Sequence, residues 1–390
     1  MKVPISWLKS FIDVEEDVSA LADRLTFAGL EVEAIEAVGK DQVMELEITP
    51  NRPDCLSMIG IAREISALYH TSINMPKVRI TPTGKPDTKI EIENKAMCPR
   101  YTLRVIDNVT VGPSPVWMKE RLESVGIRSI NNIVDITNYV MLETGHPLHA
   151  FDANCIEGNH ICIRGAKANE EFKALDGSKH KLQRNMLVIA DVNQPVALAG
   201  IMGGLNSEIK ENTTKVLLEA ACFDTASVRK TAKQLGLHTD SSYRFQRGIC
   251  SASVSDASDR AASLIVESVE AASVSEIIDV DADVCKPEPI LFAWSKMSDS
   301  IGVDIPKDDI SDILKRLSIK IENDNGSTAV AIAPSFRMDL SREIDLVEEV
   351  ARMFGMQNIP EQAPTARVIL GENNDRFRSI SKLRRFLEGL

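Results

Sequence analysis

Gly126-Ile127-Arg128-Ser129-Ile130-Asn131-Asn132-Ile133-Val134-Asp135-Ile136-Thr137-Asn138-Tyr139-Val140, running on to Gly145-His146-Pro147-Leu148-His149-Ala150-Phe151-Asp152, sets polar side chains among residues that a core would claim. Burying Arg128, Asn131, Asn132, Asp135, Thr137 or Asn138 costs free energy unless each finds a partner. So dense a cluster on an apolar frame points to a recognition or reaction site. The apolar spacing predicts a helix over 133–144. Two of the chain's six histidines then flank Pro147-Leu148. Histidines at i and i+3 could hold zinc on a helix, but Pro147 breaks the helix and no third ligand stands nearby in sequence. A satisfied loop histidine and a catalytic or substrate-orienting imidazole both stay open, and the polar run raises the second. No nucleophile motif of the Gly-x-Ser-x-Gly type is present, which gives covalent catalysis little support.

Outward from that stretch, Val216-Leu217-Leu218-Glu219-Ala220-Ala221-Cys222-Phe223 places one carboxylate inside an apolar strand. Leu217, Glu219 and Ala221 share a face, so Glu219 must find a donor or lie exposed on an edge strand. Gly200-Ile201-Met202-Gly203-Gly204 permits either a tight turn or close approach of a ligand to the backbone. Near the far end, Ile344, Val347, Ala351 and Phe354 make one apolar stripe of a helix. Asp345, Glu348 and Glu349 project from its other face at i, i+3 and i+4, with Asp339 shortly before. Such carboxylates could hold Mg²⁺, and equally could complement a helix dipole.

With 390 residues the chain suggests two to four domains. A 44% hydrophobic content with mixed charge describes a globular protein. No apolar run reaches the roughly 18–20 residues that a membrane span needs, and the N-terminal segment lacks a signal core. Seven scattered cysteines without a Cys-x-x-Cys pair predict a reduced, cytoplasmic protein. The net charge of −12 weighs against generic binding of a phosphate backbone. A local basic groove could still form from Arg229, Lys230, Lys233, Arg244 and Arg247, or these could be a solvated helix face.

The pattern is α+β and multidomain. Residues 1–85 read as a small α/β unit, with strands at 31–35 and 43–48 pairing as a hairpin. Residues 86–285 form the largest, α+β unit. Residues 286–364 read strand, helix, helix, strand, helix, and 365–390 begin a further domain with a basic amphipathic segment.

These features together resemble the β subunit of bacterial phenylalanyl-tRNA synthetase. The stretches that carry the likeness are Ala28-Gly29-Leu30-Glu31-Val32, Glu47-Ile48-Thr49-Pro50-Asn51-Arg52-Pro53-Asp54-Cys55, Cys98-Pro99-Arg100-Tyr101, the 126–152 run, Gly236-Leu237-His238-Thr239-Asp240 and Asp345-Leu346-Val347-Glu348-Glu349-Val350-Ala351-Arg352. The resemblance implies that the central unit is an editing module of the B3/B4 type. It would hydrolyse tyrosine wrongly attached to tRNA(Phe). His149, Thr137 and Asn138 would line its pocket with Pro147 and Ser241, Gly203 would form the floor, and Glu219 would face the tyrosine ring. The 286–364 unit would be a winged-helix-like B5 module. Asp339, Asp345, Glu348 and Glu349 would bind Mg²⁺ against an α subunit, in an α2β2 enzyme that charges tRNA(Phe) using ATP. The resemblance places amino-acid activation on the α subunit. One departure is that many members carry an oligonucleotide-binding domain between the first two hairpin strands, where this chain has only Gly39-Lys40-Asp41. The alternative is a scaffold that binds the α subunit and tRNA without editing.

Overall fold

The structure, a computed structural model, describes residues 1–281, 287–361 and 375–390. The expected module boundaries at 285 and 364, with their linker residues Lys286 and Pro364, lie outside the described residues. Residues Met1–Met356 and Gln357–Leu390 form separate units.

In the first unit, Val32–Val38 and Asp41–Leu46 pair as the expected antiparallel hairpin, and Lys2–Pro4 adds a third strand. Gly39 takes a left-handed φ of 62° at the tip, where a β-carbon would be unfavourable. Helix Met58–Tyr69 starts at Ser57, whose hydroxyl accepts from Gly60 N, and lies against this sheet's core.

Two larger sheets follow. One runs Met202–Gly203, Pro195–Leu198, Leu187–Ala190, His160–Gly165, Lys89–Ile92. In the other, Val216–Cys222 is central, flanked by Arg100–Asp107 and Leu148–Asp152. Being paired on both edges and covered on both faces, Val216–Cys222 is buried along its whole length. Its alternation divides the neighbours. Val216 and Leu218 pack toward helices Asn132–Thr144 and Val254–Ser268, in a core that continues from the N-terminal residues. Leu217 and Ala221 pack toward the other sheet. Glu219 belongs to that second face and so enters the layer between two sheets. The edge-strand exposure considered for it is excluded, because strands distant in sequence claim both edges.

Ile290–Ala293, Thr328–Ile332 and Lys320–Glu322 make a three-stranded sheet covered by helices Trp294–Ile301, Lys307–Arg316 and Glu343–Phe354. The buried stripe of the last helix is Leu346, Val347 and Val350, whereas Ile344 is 52% exposed. The expected stripe through Ile344 is therefore rotated, and Asp345 and Glu349 turn inward. The second unit is described chiefly by helix Asp375–Glu388, with Phe377, Ile380, Leu383 and Phe386 exposed.

Candidate functional site

Much of the polar density between 126 and 138 proves to be local architecture. Asn131 caps helix Asn132–Thr144, its side chain accepting from Ile133 N and Val134 N. Asn132 accepts from Gly112 N and donates to Thr110 O, which ties the helix start to the preceding loop. The Asp135 carboxylate accepts from Ser114 Oγ, Ser129 Oγ and Ile130 N. Thr137 and Asn138 are left for other work. The Thr137 hydroxyl donates back to Val134 O at 2.7 Å, and the half-buried Asn138 amide makes no hydrogen bond among the described residues. Gly145, with φ 83°, ends the helix and turns the chain into strand Leu148–Asp152.

That strand pairs antiparallel with Val216–Cys222 so that His149 stands directly opposite Glu219. Cross-strand partners have β-carbons about 5 Å apart, so the register alone makes the imidazole and the carboxyl neighbours. A cavity of about 480 Å³ opens beside them, and Thr137, Asn138, Pro147, His149, Gly203, Glu219 and Ser241 all line it. Its remaining wall is mainly apolar, with Met141, Leu175, Met202, Phe223 and Phe245.

Gly203 sets the depth of the floor. A β-carbon there would lie 2.3 Å from His149 Cε1 and 2.6 Å from Nε2. The imidazole also packs on Phe151, edge-on with centroids 4.5 Å apart. It opens on to the cavity and is otherwise enclosed, and this burial pushes its pKa down to about 4. At neutral pH His149 is an uncharged ring with one donor and one acceptor nitrogen. Ser241 donates to Gly200 O at 3.2 Å and Thr239 Oγ1 to Ile201 O at 2.8 Å, which pins the glycine-rich loop under the pocket.

Glu219 is 5% exposed, and its Oε2 has no hydrogen-bond partner. Burial raises its pKa to about 8, with the Tyr101 phenol nearby pulling the other way. Tyr101 and Glu219 approach without completing a bond of regular geometry, and the Tyr101 hydroxyl is itself unpartnered. In the sequence Tyr101 stands at the start of a strand-like run and in the family-like Cys98-Pro99-Arg100-Tyr101, with nothing that marks it as a site residue. Its place behind Glu219 follows from the pairing of Tyr101 with Ala221, two residues along the same face. Because the folded chain holds the Glu219 proton more tightly than the unfolded one, this group favours the fold below about pH 4.5. That contribution is lost as pH rises to about 8. Glu219→Gln should therefore gain stability relative to the native chain across that window. Denaturant midpoints measured against pH check this, and a constant difference would refute the buried acid. His149 titrates in the opposite sense below pH 6.5, and cancels because both chains carry it.

The four carboxylates expected to hold Mg²⁺ do not converge on a cation. Asp339 and Glu349 both bind Arg337, at 2.8 and 2.6 Å. Glu349 also engages Arg352, which reaches Glu64 of the N-terminal region at 2.6 Å, and Glu64 binds Arg52 at 2.6 Å. Asp345 accepts from Ser341 N and Arg342 N at the helix start and pairs with Arg342, and Glu348 is exposed. In this chain arginines neutralise Asp339, Asp345 and Glu349, and only Glu348 is left at the surface without an ion pair among the described residues. Asp54, Cys55 and Glu64 come within ligand distance of one another, but Arg52 bonds all three. The expected basic groove also divides. Arg229, Lys230 and Lys233 are exposed along helix Thr225–Leu235, whereas Arg244 is buried against Leu56 O and Arg247 covers the Tyr243 ring. No helix is long and apolar enough to cross a membrane among the described residues.

Residues 97–270 match the B3/4 domain family, and residues 290–356 match the tRNA synthetase B5 domain. The chain is 45% identical over 339 residues to the phenylalanine--tRNA ligase beta subunit of Desulfotalea psychrophila, covering 86% of this chain and 42% of that one. To the same subunit of Geobacter sulfurreducens it is 45% identical over 343 residues, covering 87% and 43%. For Rhodopirellula baltica the identity is 40% over 367 residues, covering 93% and 54%. The chain thus spans about half the length of the curated relatives it matches. Its fold is like that of an N-terminal fragment of the phenylalanyl-tRNA synthetase beta subunit from Pyrococcus horikoshii. There the TM-score is 0.51 at 14% identity, covering 91% of this chain and 99% of the fragment. Two domain families in the order found here, together with these relatives, establish that the chain belongs to the phenylalanine--tRNA ligase beta-subunit family.

Proposed function

We propose that the 480 Å³ cavity hydrolyses tyrosine from mischarged tRNA(Phe), within an enzyme completed by an α subunit that carries out ATP-dependent charging. The observation that carries this reading is a buried carboxyl, Glu219, with an oxygen unpartnered among the described residues in a mainly apolar pocket, directly opposite a neutral histidine. Phenylalanine and tyrosine differ by one hydroxyl, and an apolar synthetic pocket rejects an added hydroxyl poorly. A second pocket can instead select for it. With a pKa near 8, Glu219 is mainly protonated at neutral pH and can donate to the phenol oxygen or accept from its hydrogen. Phenylalanine would leave that carboxyl unpaired, at about 1–3 kcal/mol.

Hydrolysis needs water added to the ester carbonyl and the terminal ribose oxygen released with a proton. Neutral His149 has a nitrogen able to accept a hydrogen bond from the attacking water, held in place by Gly203 and Phe151. Asn138, without a hydrogen bond among the described residues, offers amide groups to the ester or ribose end. The same reading includes binding of tRNA(Phe) and an α subunit in the cytoplasm, and the relatives named ligase beta subunits support it. Glu219→Ala in the assembled α/β enzyme should lower deacylation of Tyr-tRNA(Phe) by roughly five- to 150-fold, the range that follows from 1–3 kcal/mol. The same variant should lose most preference over Phe-tRNA(Phe). Unchanged deacylation by the variant would remove Glu219 from the mechanism.

A further inference from the structure

A second cavity, of about 240 Å³, lies away from the candidate hydrolytic pocket. Its walls come from distant parts of the chain: Arg63 on helix Met58–Tyr69, His146 after helix Asn132–Thr144, Asp256 on helix Val254–Ser268, and Phe336 beyond strand Thr328–Ile332.

His146, the first histidine of the His-Pro-Leu-His run, faces this cavity and not the pocket of His149. It is 1% exposed, and neither ring nitrogen completes a hydrogen bond of regular geometry among the described residues, although the Ala221 backbone lies close enough to act on the ring. A neutral imidazole carries one donor and one acceptor, and with the Ala221 backbone beside one nitrogen the other is left without a matched group. Its ring meets Phe245 edge-on at 6.4 Å, which accounts for its packing but satisfies neither nitrogen.

Arg63 is the second unmatched group. Its guanidinium sits 4.0 Å from the centroid of the Phe336 ring and makes no ion pair or hydrogen bond among the described residues. Other inward arginines behave differently: Arg52, Arg260, Arg337 and Arg352 each engage a carboxylate. Asp54 also lines the cavity, but both its oxygens accept from Arg52. Stacking on an aromatic face leaves the guanidinium edge free, and that planar edge matches the two oxygens of a carboxylate or phosphate. Asp256, also in the lining, is exposed to solvent.

We propose that this cavity binds a small oxyanion, a carboxylate or phosphate group, gripped by Arg63 with His146 as the second contact. The cavity size suits a compact metabolite or free ion. Occupancy would tie together four stretches that are remote in sequence, and the proposal stands independently of the hydrolytic reading.

The test uses the full 390-residue chain. Thermal unfolding and titration calorimetry are run with inorganic phosphate, with acetate, and with chloride at matched ionic strength. A saturable rise in Tm beyond chloride is expected for at least one of the first two. Phosphate alone assigns a phosphate ligand, and acetate alone assigns a carboxylate. Arg63→Gln should bind at least tenfold more weakly. Should that variant fail to fold, Arg63→Lys, which keeps the charge but loses the planar fork, should bind at least threefold more weakly. His146→Gln, which keeps a donor and an acceptor, should retain more affinity than Arg63→Gln. The proposal is overturned if neither anion exceeds chloride, or if the folded Arg63 variant binds as the native chain does.

Discussion

Gly203→Ala should reduce Tyr-tRNA(Phe) deacylation by the assembled enzyme by about 100-fold or more while leaving the fold in place. The added methyl would stand 2.3 Å from His149 Cε1 and 3.0 Å from Leu175 Cδ1. The imidazole has little room to give, because Phe151 packs against it and the pairing with Glu219 fixes its strand. It must swing into the cavity, where it occupies substrate space and loses its alignment. Met202–Gly203 is a two-residue edge strand, so the damage to stability should be modest. Single-turnover deacylation and far-ultraviolet circular dichroism on the same sample check both halves. Native-like deacylation by a well-folded variant would show that His149 is not poised against the substrate.

Glu349→Ala should lower the Tm of this chain by on the order of 10 °C, the largest stability loss expected from any single acidic residue here. Burial alone would raise the Glu349 pKa, but the Arg337 and Arg352 guanidinium groups hold it well below the usual carboxylate range. Removing it leaves those two cations buried with one carboxylate each, Asp339 and Glu64. Breaking such a pair typically costs about 3–5 kcal/mol. Glu348→Ala, one position away and exposed, should change stability by less than about 0.5 kcal/mol. A chelator should leave the Tm of this chain unmoved, and a Tm that fell with chelator but not with Glu349→Ala would assign these carboxylates to a metal. The same network predicts acid lability. Burial works to raise the Glu64 pKa, yet Arg352 and Arg52 hold it at about 2. Its stabilisation is therefore present above about pH 4.5 and lost as pH falls toward 2.

The helices and most long strands were legible because their apolar periods are clean. The hairpin 31–48, helix 133–144 and the strand-helix-helix order after 290 all follow from spacing and turn residues. Strand Leu148–Asp152 was hidden, since Pro147 and two histidines mask its alternation. With it went the register that sets His149 against Glu219, a non-local fact that no local pattern encodes. Likeness to a family supplied those residues as a set, and the structure gathers them in one cavity. The carboxylates of helix Glu343–Phe354 show the reverse case. Their i, i+3, i+4 spacing is real, but the helix turns Asp345 and Glu349 inward and Glu348 outward. Which way it faces depends on Arg337 and on Glu64, 288 residues before Arg352.

That separation has a consequence during synthesis. Glu64 and Arg52 leave the ribosome close together, but Arg352 follows 288 residues after Glu64. At 5–20 residues per second the interval is roughly 15–60 s. Throughout it the N-terminal segment carries an acidic group whose second guanidinium has not yet been made. Closure of that pair acts as a late latch: the first segment translated reaches its finished strength only when the B5 module has emerged.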